Sequence, residues 1–298
     1  MKRYLFIYSS ILVAVFVLLS ALGREGNYII ERKIWGIYKE QVDIARDPAV
    51  VPDNVFERVI NEYRQIIDKY PFSSQTPDLY IRLGEVYALR RDFVTAREVF
   101  QSLSDRYPDN KDLLAEAMFQ VGETYESESN WLEAEKVYQQ VIQEYPLTDV
   151  GLKTSIYIAN HYRSQNDFQG TMAAYDAAMS RYRDIAVKFQ DTQVGLLALR
   201  HLATCYLDQN RWKEAIGVLG EVIERYAGSK DLNVKDTDMV IKTINIVSAY
   251  QLKDYDVAIG LYEDILKRNP DHPLRKYLLK VIDAFNQLKE KGVQVSER

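Results

Sequence analysis

Residues 83–108 read LGEVYALRRDFVTAREVFQSLSDRYP, and their pattern decides the fold because the chain repeats it. A glycine is followed by a tyrosine three residues on, an alanine twelve on, an aromatic residue sixteen on and a proline twenty-four on. In residues 121–146, VGETYESESNWLEAEKVYQQVIQEYP, the same residue types stand at the same offsets from Gly122. Agreement at every offset indicates an internal repeat.

Three later segments carry the pattern with substitutions: residues 158–183, 202–227 and 246–270. The last is one residue shorter between its two halves, and residues 59–71 supply the second half alone. Helix-forming residues dominate throughout, and strand-like alternation is nowhere sustained. The sequence therefore predicts an all-α chain built from successive pairs of antiparallel helices, called A and B.

The repeated residue types have packing roles in such a pair. A small residue in helix A and an alanine in helix B allow close approach, the aromatic residue fills the gap between neighbouring pairs, and proline ends the unit. One hairpin cannot bury its own apolar face, so the copies must stack. Tyrosines recur in two further positions, and this recurrence predicts core packing for Tyr87, Tyr125, Tyr162, Tyr206 and Tyr250, and for Tyr70, Tyr107, Tyr145, Tyr182 and Tyr226.

These residues resemble the tetratricopeptide repeat, whose pattern is W-x2-L-G-x2-Y, then A-x3-F, then P. The resemblance covers residues 53–270 and implies a right-handed α-solenoid of stacked helix pairs. The tryptophan is replaced in every copy, and the repeat ends lie 37 to 44 residues apart, which is longer than usual. The recurrent Tyr-Pro closure is similar to bacterial extracytoplasmic members of the family such as BamD and CpoB.

We divide the chain into four parts on this basis. Residues 1–26 form an N-terminal membrane anchor or signal segment, and residues 27–71 a divergent first helix pair. Residues 72–270 are an array of five repeats, and residues 271–298 are a C-terminal capping helix and tail.

The first part contains an apolar run, residues 4–22, without any charge and preceded by Lys2 and Arg3. Nineteen helical residues span about 28 Å, close to the hydrocarbon thickness of a bilayer. The run favours an uncleaved transmembrane helix, although Ala21-x-Gly23 could serve as a signal cleavage site. The positive charges place the N-terminus in the cytoplasm and the repeats outside it. We therefore expect a single-pass protein of a bacterial inner membrane with its body in the periplasm or outside; export after signal cleavage is the alternative.

The composition and motifs argue against several functions. A net charge of −5 argues against nucleic acid as a partner, and the phosphate-binding and hydrolase signatures are missing. His201 and Cys205 lie four residues apart on one predicted helix, as in a thiolate–imidazole pair or half of a metal site. Both residues also occupy ordinary helix-A positions of their repeat, and we favour this packing interpretation over a functional one. We therefore predict no catalytic residue, no cofactor-binding residue and no metal site.

Charge is unevenly distributed, with 14 basic against 22 acidic residues in 27–146 and 21 against 20 in 147–298. In the family that the repeats resemble, helix A lines a concave groove. Carried over by position, the groove residues are Glu85, Phe119, Glu123, Glu126, Ile156, Asn160, Arg163 and Arg200. The resemblance thus implies a groove that is acidic first and basic later. The Lys/Asn clamp that cytosolic co-chaperone members use for a C-terminal carboxylate is missing.

The sequence predicts a non-catalytic, membrane-tethered scaffold that binds partner proteins or peptides on the extracytoplasmic side of a cell envelope. Residues 4–22 would provide the contact with the membrane. Two alternatives stay open: an organelle-surface import receptor with a cytosolic repeat array, and an enzyme or enzyme accessory of the cell wall.

Overall fold

The computed structural model describes residues 27–291, which contain thirteen α-helices and no β-strand. The helices are α1 (Asn27–Arg46), α2 (Asp53–Lys69), α3 (Thr76–Leu89), α4 (Phe93–Arg106), α5 (Lys111–Ser127), α6 (Trp131–Glu144), α7 (Asp149–Ser164), α8 (Phe168–Lys188), α9 (Gln193–Asp208), α10 (Trp212–Tyr226), α11 (Val234–Ile246), α12 (Tyr255–Arg268) and α13 (Arg275–Glu290). A 3-10 turn (Pro48–Val50) follows α1, and a π-helical segment (Val247–Gln251) continues α11. The all-helical prediction is confirmed.

The predicted membrane segment, residues 4–22, lies outside the described residues, as does the C-terminal tail from residue 292. Among residues 27–291, no helix combines the length and the apolar composition that crossing a bilayer requires.

The chain divides into two compact units, and the division falls between Val137 and Tyr138 of α6. In the first unit, α1 to α5 contact one another in chain order, and the A helix α3 also contacts the A helices α1 and α5. In the second unit, α7 to α13 likewise contact in chain order. Short turns between contacting helices require antiparallel pairs, as the repeats predicted.

The glycine of the repeat is explained by its partner helix. A Cβ atom added to Gly84 on α3 would lie 2.3 Å from Cε1 of Phe100 on α4. The Phe100 ring is 1% exposed, so it has no room to move aside. Glycine is therefore needed here for close helix packing.

The aromatic position of helix B is deeply buried in the described repeats. Phe100, Tyr138, Tyr175 and Tyr262 are all at most 1% exposed, as is Tyr63 in the half-repeat. The four helix-B alanines, Ala96, Ala134, Ala215 and Ala258, are completely buried. These predicted packing roles are confirmed.

The two recurring tyrosine positions are less uniform than predicted. Tyr87, Tyr182 and Tyr226 are buried, and Tyr70, Tyr107, Tyr125, Tyr145, Tyr162 and Tyr206 are half-buried. Tyr250 is 58% exposed, so its predicted core role is wrong. It lies in the π-helical segment Val247–Gln251, at the end of helix A in the repeat whose turn is one residue short. A π-helix has more residues per turn than an α-helix, so side chains in it point in other directions than the α-helical spacing predicts.

In each of the five repeats after α2, a three-residue turn whose middle residue has a positive φ leads into the B helix. These middle residues are Arg91, Ser129, Asn166, Asn210 and Lys253. In the first four turns the next residue donates its backbone N–H to the carbonyl of the helix-A tyrosine five residues earlier, at 2.8 to 3.0 Å. This is the Schellman arrangement, which satisfies carbonyls at the end of a helix.

Several B helices start with side-chain caps. Asp92, Asp167 and Asp254 accept hydrogen bonds from backbone N–H groups of the first turns of α4, α8 and α12. Thr76 is the first residue of α3 and donates its hydroxyl to the Tyr70 carbonyl at 2.6 Å, and a proline lies in the first turn of this helix.

Candidate functional site

The predicted groove residues of the first unit lie on two neighbouring A helices. Glu85 is on α3, and Phe119, Glu123 and Glu126 are on α5. Glu85 and Glu123 line one cavity of about 400 Å³. The other residues around it are Gln41, Ala45, Ala88, Leu89, Gln120, Thr124 and Ser127, so no basic residue contributes to its wall. We call this space the acidic cavity.

Glu85 is held in place by a chain of hydrogen bonds across three helices. Tyr63 on α2 donates its hydroxyl to Oε1 of Gln41 at 2.6 Å, and Nε2 of Gln41 donates to Oε2 of Glu85 at 2.7 Å. Gln41 is only 5% exposed. Burial raises the pKa of the Glu85 carboxyl, while the Gln41 hydrogen bond and the charge of Arg82 oppose that rise.

Sequence reasoning did not assign Gln41 to the site. Its only signal was that it interrupts the isoleucines at Ile30, Ile34, Ile37 and Ile44 of α1. A polar residue on an otherwise apolar helix face requires a buried partner. The partner, Glu85, lies 44 residues further along the chain.

Glu123 has no such support. Within residues 27–291 its carboxylate has no hydrogen-bond or ion-pair partner, although it is half-buried. Burial raises its pKa to about 7, and the neighbouring charges of Glu116, Glu126 and Glu85 add to the rise. A cation in the acidic cavity would compensate the charge of the Glu123 carboxylate and lower its pKa.

The other two predicted residues of this unit do not line the acidic cavity. Phe119 and Glu126 are half-buried on α5. Glu126 acts on the cavity through its charge, which raises the pKa of Glu123.

In the second unit, Ile156, Asn160 and Arg163 lie on α7 and Arg200 on α9. Ile156 packs against the hydrophobic core of the unit. Asn160 accepts a hydrogen bond from the Tyr175 hydroxyl at 3.1 Å, and this hydroxyl is also 3.1 Å from Oδ2 of Asp208. Asn160 therefore forms part of a polar contact among α7, α8 and α9.

The two arginines of the predicted basic part each lie near an acidic residue. Nη1 of Arg163 is 3.8 Å from Asp208, and Nη1 of Arg200 is 3.9 Å from Asp236. These contacts are at the long end of the ion-pair range, yet they compensate the positive charge. The acidic cavity of the first unit is therefore the more strongly charged part of the predicted groove.

His201 and Cys205 occupy packing positions. The His201 ring stacks on Tyr182 with centroids 5.4 Å apart, and burial lowers its pKa. Cys205 is fully buried, and burial raises the pKa of its thiol to about 12. The thiolate, which is the nucleophile and the metal ligand, does not form at neutral pH under these conditions. Within residues 27–291, no group of three or more His, Cys, Asp or Glu side chains is placed to hold a metal ion.

Comparisons with known proteins agree with the repeat pattern. A family model described as the tetratricopeptide repeat matches residues 78–110, 116–148, 197–229 and 247–272. These four segments are therefore tetratricopeptide repeats. The copy at residues 158–183, recognised in the sequence, is not among the matched segments. No curated protein matches the chain.

Three solved structures are similar over most of the chain. BtubC from P. vanneervenii is 13% identical, with 82% of this chain and 92% of that chain covered and a TM-score of 0.41. The TPR2AB domain of yeast Sti1, in a complex with pHSP90, is 10% identical, with coverages of 88% and 100% and a TM-score of 0.31. A tetratricopeptide repeat protein from Parabacteroides merdae is 11% identical, with coverages of 84% and 99% and a TM-score of 0.28.

Proposed function

We propose that this protein is a non-catalytic scaffold whose first unit binds a basic segment of a partner protein. The observation that carries the proposal is the acidic cavity, in which two carboxylates, Glu85 and Glu123, face a space with no basic residue in its wall. Tetratricopeptide repeats bury their apolar faces against each other and leave the helix-A surface available for a partner.

The physical argument is the cost of the unpaired charge. A half-buried carboxylate that lacks a partner loses solvation without compensation, and this loss raises the pKa of Glu123. A lysine or arginine side chain entering the cavity would form charge-assisted hydrogen bonds to Glu123 and to Glu85. An acidic segment would instead be repelled, so the same residues provide selectivity.

A binding experiment tests this proposal. Fluorescein-labelled glycine–serine peptides containing one central lysine, or one central glutamate, are titrated with the full-length protein in detergent at low salt. We expect the lysine peptide to bind and the glutamate peptide not to bind. The double variant Glu85→Gln, Glu123→Gln should lose at least tenfold in affinity. Equal binding of both peptides, or unchanged binding by the double variant, would contradict the proposal.

A control variant separates the cavity from net charge. Glu98→Gln with Asp105→Asn removes the same charge from exposed positions of α4. Because neither residue lines the acidic cavity, this variant should bind the lysine peptide as the unmodified protein does.

We further propose that residues 4–22 tether the protein to a membrane, with the repeats on the extracytoplasmic side of a bacterial envelope. The uncharged run after Lys2 and Arg3 supports this proposal. A tether would keep the groove at a high effective concentration near membrane-bound partners. Alkaline phosphatase fused to the C-terminus should be active in cells, because it folds only outside the cytoplasm. A fusion that is inactive while a fluorescent-protein fusion is bright would place the repeats in the cytoplasm.

A further inference from the structure

A second cavity adjoins the acidic cavity in the first unit. It measures about 510 Å³ and shares Ala88, Leu89 and Ser127 with the acidic cavity. Its remaining wall comes from the 3-10 turn after α1, the start of α2 and the turn between α3 and α4. The two cavities are therefore neighbouring parts of one surface. We call the second one the apolar cavity.

The wall of the apolar cavity consists mainly of hydrophobic side chains. Pro48, Ala49 and Val51 come from the segment after α1, and Phe56 and Phe93 from α2 and α4. Phe56 is buried and Phe93 is half-buried. The cavity therefore offers an apolar side chain a place from which water is displaced.

The charged residues of this wall are largely neutralised. Nε of Arg90 lies 2.7 Å from Asp53, and Nη1 lies 2.7 Å from Glu57. Arg91 has no carboxylate at ion-pair distance within residues 27–291, and its guanidinium lies 5.7 Å from the centroid of the Phe93 ring. Each carboxylate named here is thus paired with Arg90, and the four charges sum to zero, whereas the acidic cavity has two carboxylates and no basic residue in its wall.

We propose that the apolar cavity binds a bulky apolar side chain of the same partner segment whose basic residue occupies the acidic cavity. This inference rests on the proposed function. The shared wall lets one segment occupy both cavities. Glu85 and Glu123 attract the basic residue, whereas the carboxylates beside the apolar cavity are already paired with Arg90. This difference in charge fixes which residue enters which cavity. The partner motif is thus one lysine or arginine close to one large aliphatic or aromatic residue.

The expected gain from the second cavity is measurable. Full burial of a leucine or phenylalanine side chain corresponds to about a tenfold to hundredfold change in Kd. A serine at the same peptide position gains nothing from an apolar wall. The difference between a leucine peptide and its serine counterpart therefore isolates the apolar cavity from the acidic one.

The probe is a set of fluorescein-labelled peptides with one lysine and one leucine separated by zero to four glycines, in both orders. Each peptide has a counterpart in which serine replaces leucine. Fluorescence polarisation with the full-length protein gives Kd for each pair. We expect the leucine member to bind at least tenfold more tightly at one or more spacings, and one order of the two residues to be preferred.

Substitutions in the 3-10 turn connect the effect to the apolar cavity. Ala49→Asp places a carboxylate on the cavity wall and should abolish the leucine advantage without weakening the serine peptides. Val50→Asp is the matched control, because Val50 is 72% exposed and does not line the cavity. This control should keep the leucine advantage.

The possible failures are distinguishable. Lysine peptides that bind without any leucine advantage would overturn this inference and leave the proposed function intact. A leucine advantage that survives Ala49→Asp would also overturn it, because the side chain would then bind elsewhere. If no lysine peptide binds at all, both the inference and the proposed function are wrong.

Discussion

At Gly84 the absence of a side chain lets helix α3 lie directly against the ring of Phe100. An added Cβ would overlap that ring at 2.3 Å, and the ring is enclosed by the core. We expect Gly84→Ala to lower the free energy of unfolding by about 1–3 kcal/mol, measured by urea denaturation. Phe100→Leu should cost less in the Gly84→Ala background than in the unmodified protein, because the overlap disappears.

Gly36 provides the matched control for this prediction. It lies within α1, and a Cβ added there would meet nothing within 4 Å. Gly36→Ala should therefore stabilise the protein by about 0.5–1 kcal/mol, since alanine restricts the unfolded chain more than glycine does. Destabilisation by both substitutions would mean that the Phe100 contact is not the cause.

Glu123 connects the acidic cavity to the pH dependence of stability. Its pKa of about 7 in the folded protein is above the ordinary value of 4.5, so the folded state binds the proton more tightly. Stability from this group is fully present below about pH 4.5 and is lost as the pH rises through about 7. Glu123→Gln cannot ionise, so it should be more stable than the unmodified protein at pH 8, by about 1–3 kcal/mol.

The measurement is urea denaturation of both proteins between pH 4 and pH 8. The difference in unfolding free energy should be small at pH 4 and should grow between pH 5 and 8. Parallel curves over this range would show that burial of the Glu123 carboxylate does not destabilise the fold.

At the level of the elements, the three-residue turns between A and B helices repeat with the same backbone conformation. Ser129 has a φ of 61° at the centre of one such turn. Residues other than glycine pay for this conformation, so Ser129→Gly should stabilise the protein by about 0.5–1 kcal/mol, while Ser129→Val should destabilise it. Differential scanning calorimetry would measure both changes as shifts in Tm.

A control substitution at Ser104 tests whether glycine stabilises the protein only where the turn requires a positive φ. It is exposed within α4, where the backbone is helical. Ser104→Gly should therefore destabilise the protein by a few tenths of a kcal/mol to about 0.5 kcal/mol. Replacing serine by glycine should therefore raise stability at position 129 and lower it at position 104. A change in the same direction at both positions would argue against a strained turn.

The last described helix, α13, covers the apolar face of the helix before it. Helix α13 covers α12 with Leu278, Ile282 and Phe285, which are all buried. Tyr255 at the start of α12 contacts Phe285 with ring centroids 5.0 Å apart. The amphipathic α13 therefore protects the apolar face that the last repeat would otherwise expose.

For the whole molecule, the single cysteine reports on the stability of the second unit. Cys205 is fully buried and its thiol has a raised pKa, so labelling by a disulfide reagent requires local or global opening. Stacked repeats depend mainly on their nearest neighbours. We expect Leu202→Ala, a core substitution in the second unit, to accelerate labelling at least tenfold, and Gly84→Ala in the first unit to leave the rate unchanged.

Labelling is followed by absorbance under native conditions, with Cys205→Ser as the blank. Rapid labelling of the unmodified protein would mean that the thiol is accessible. Equal acceleration by Leu202→Ala and Gly84→Ala would mean that the array opens as one cooperative body.

The sequence by itself determined the helical repeats and most of their packing positions. These features follow from residues at fixed offsets within one hairpin, where local spacing sets which side chains face a neighbouring helix. The exposure of Tyr250 could not be predicted, because the repeat pattern does not reveal the π-helical segment in which it lies.

Only the tertiary structure decided the chemical surroundings of the predicted groove residues. The hydrogen bond between Gln41 and Glu85 joins residues 44 positions apart, and the aspartates near Arg163 and Arg200 come from later helices. The lack of a partner for Glu123 and the adjoining apolar cavity likewise depend on how separate helices meet. Charge compensation and desolvation are set by distances between such elements, which no spacing within a repeat records.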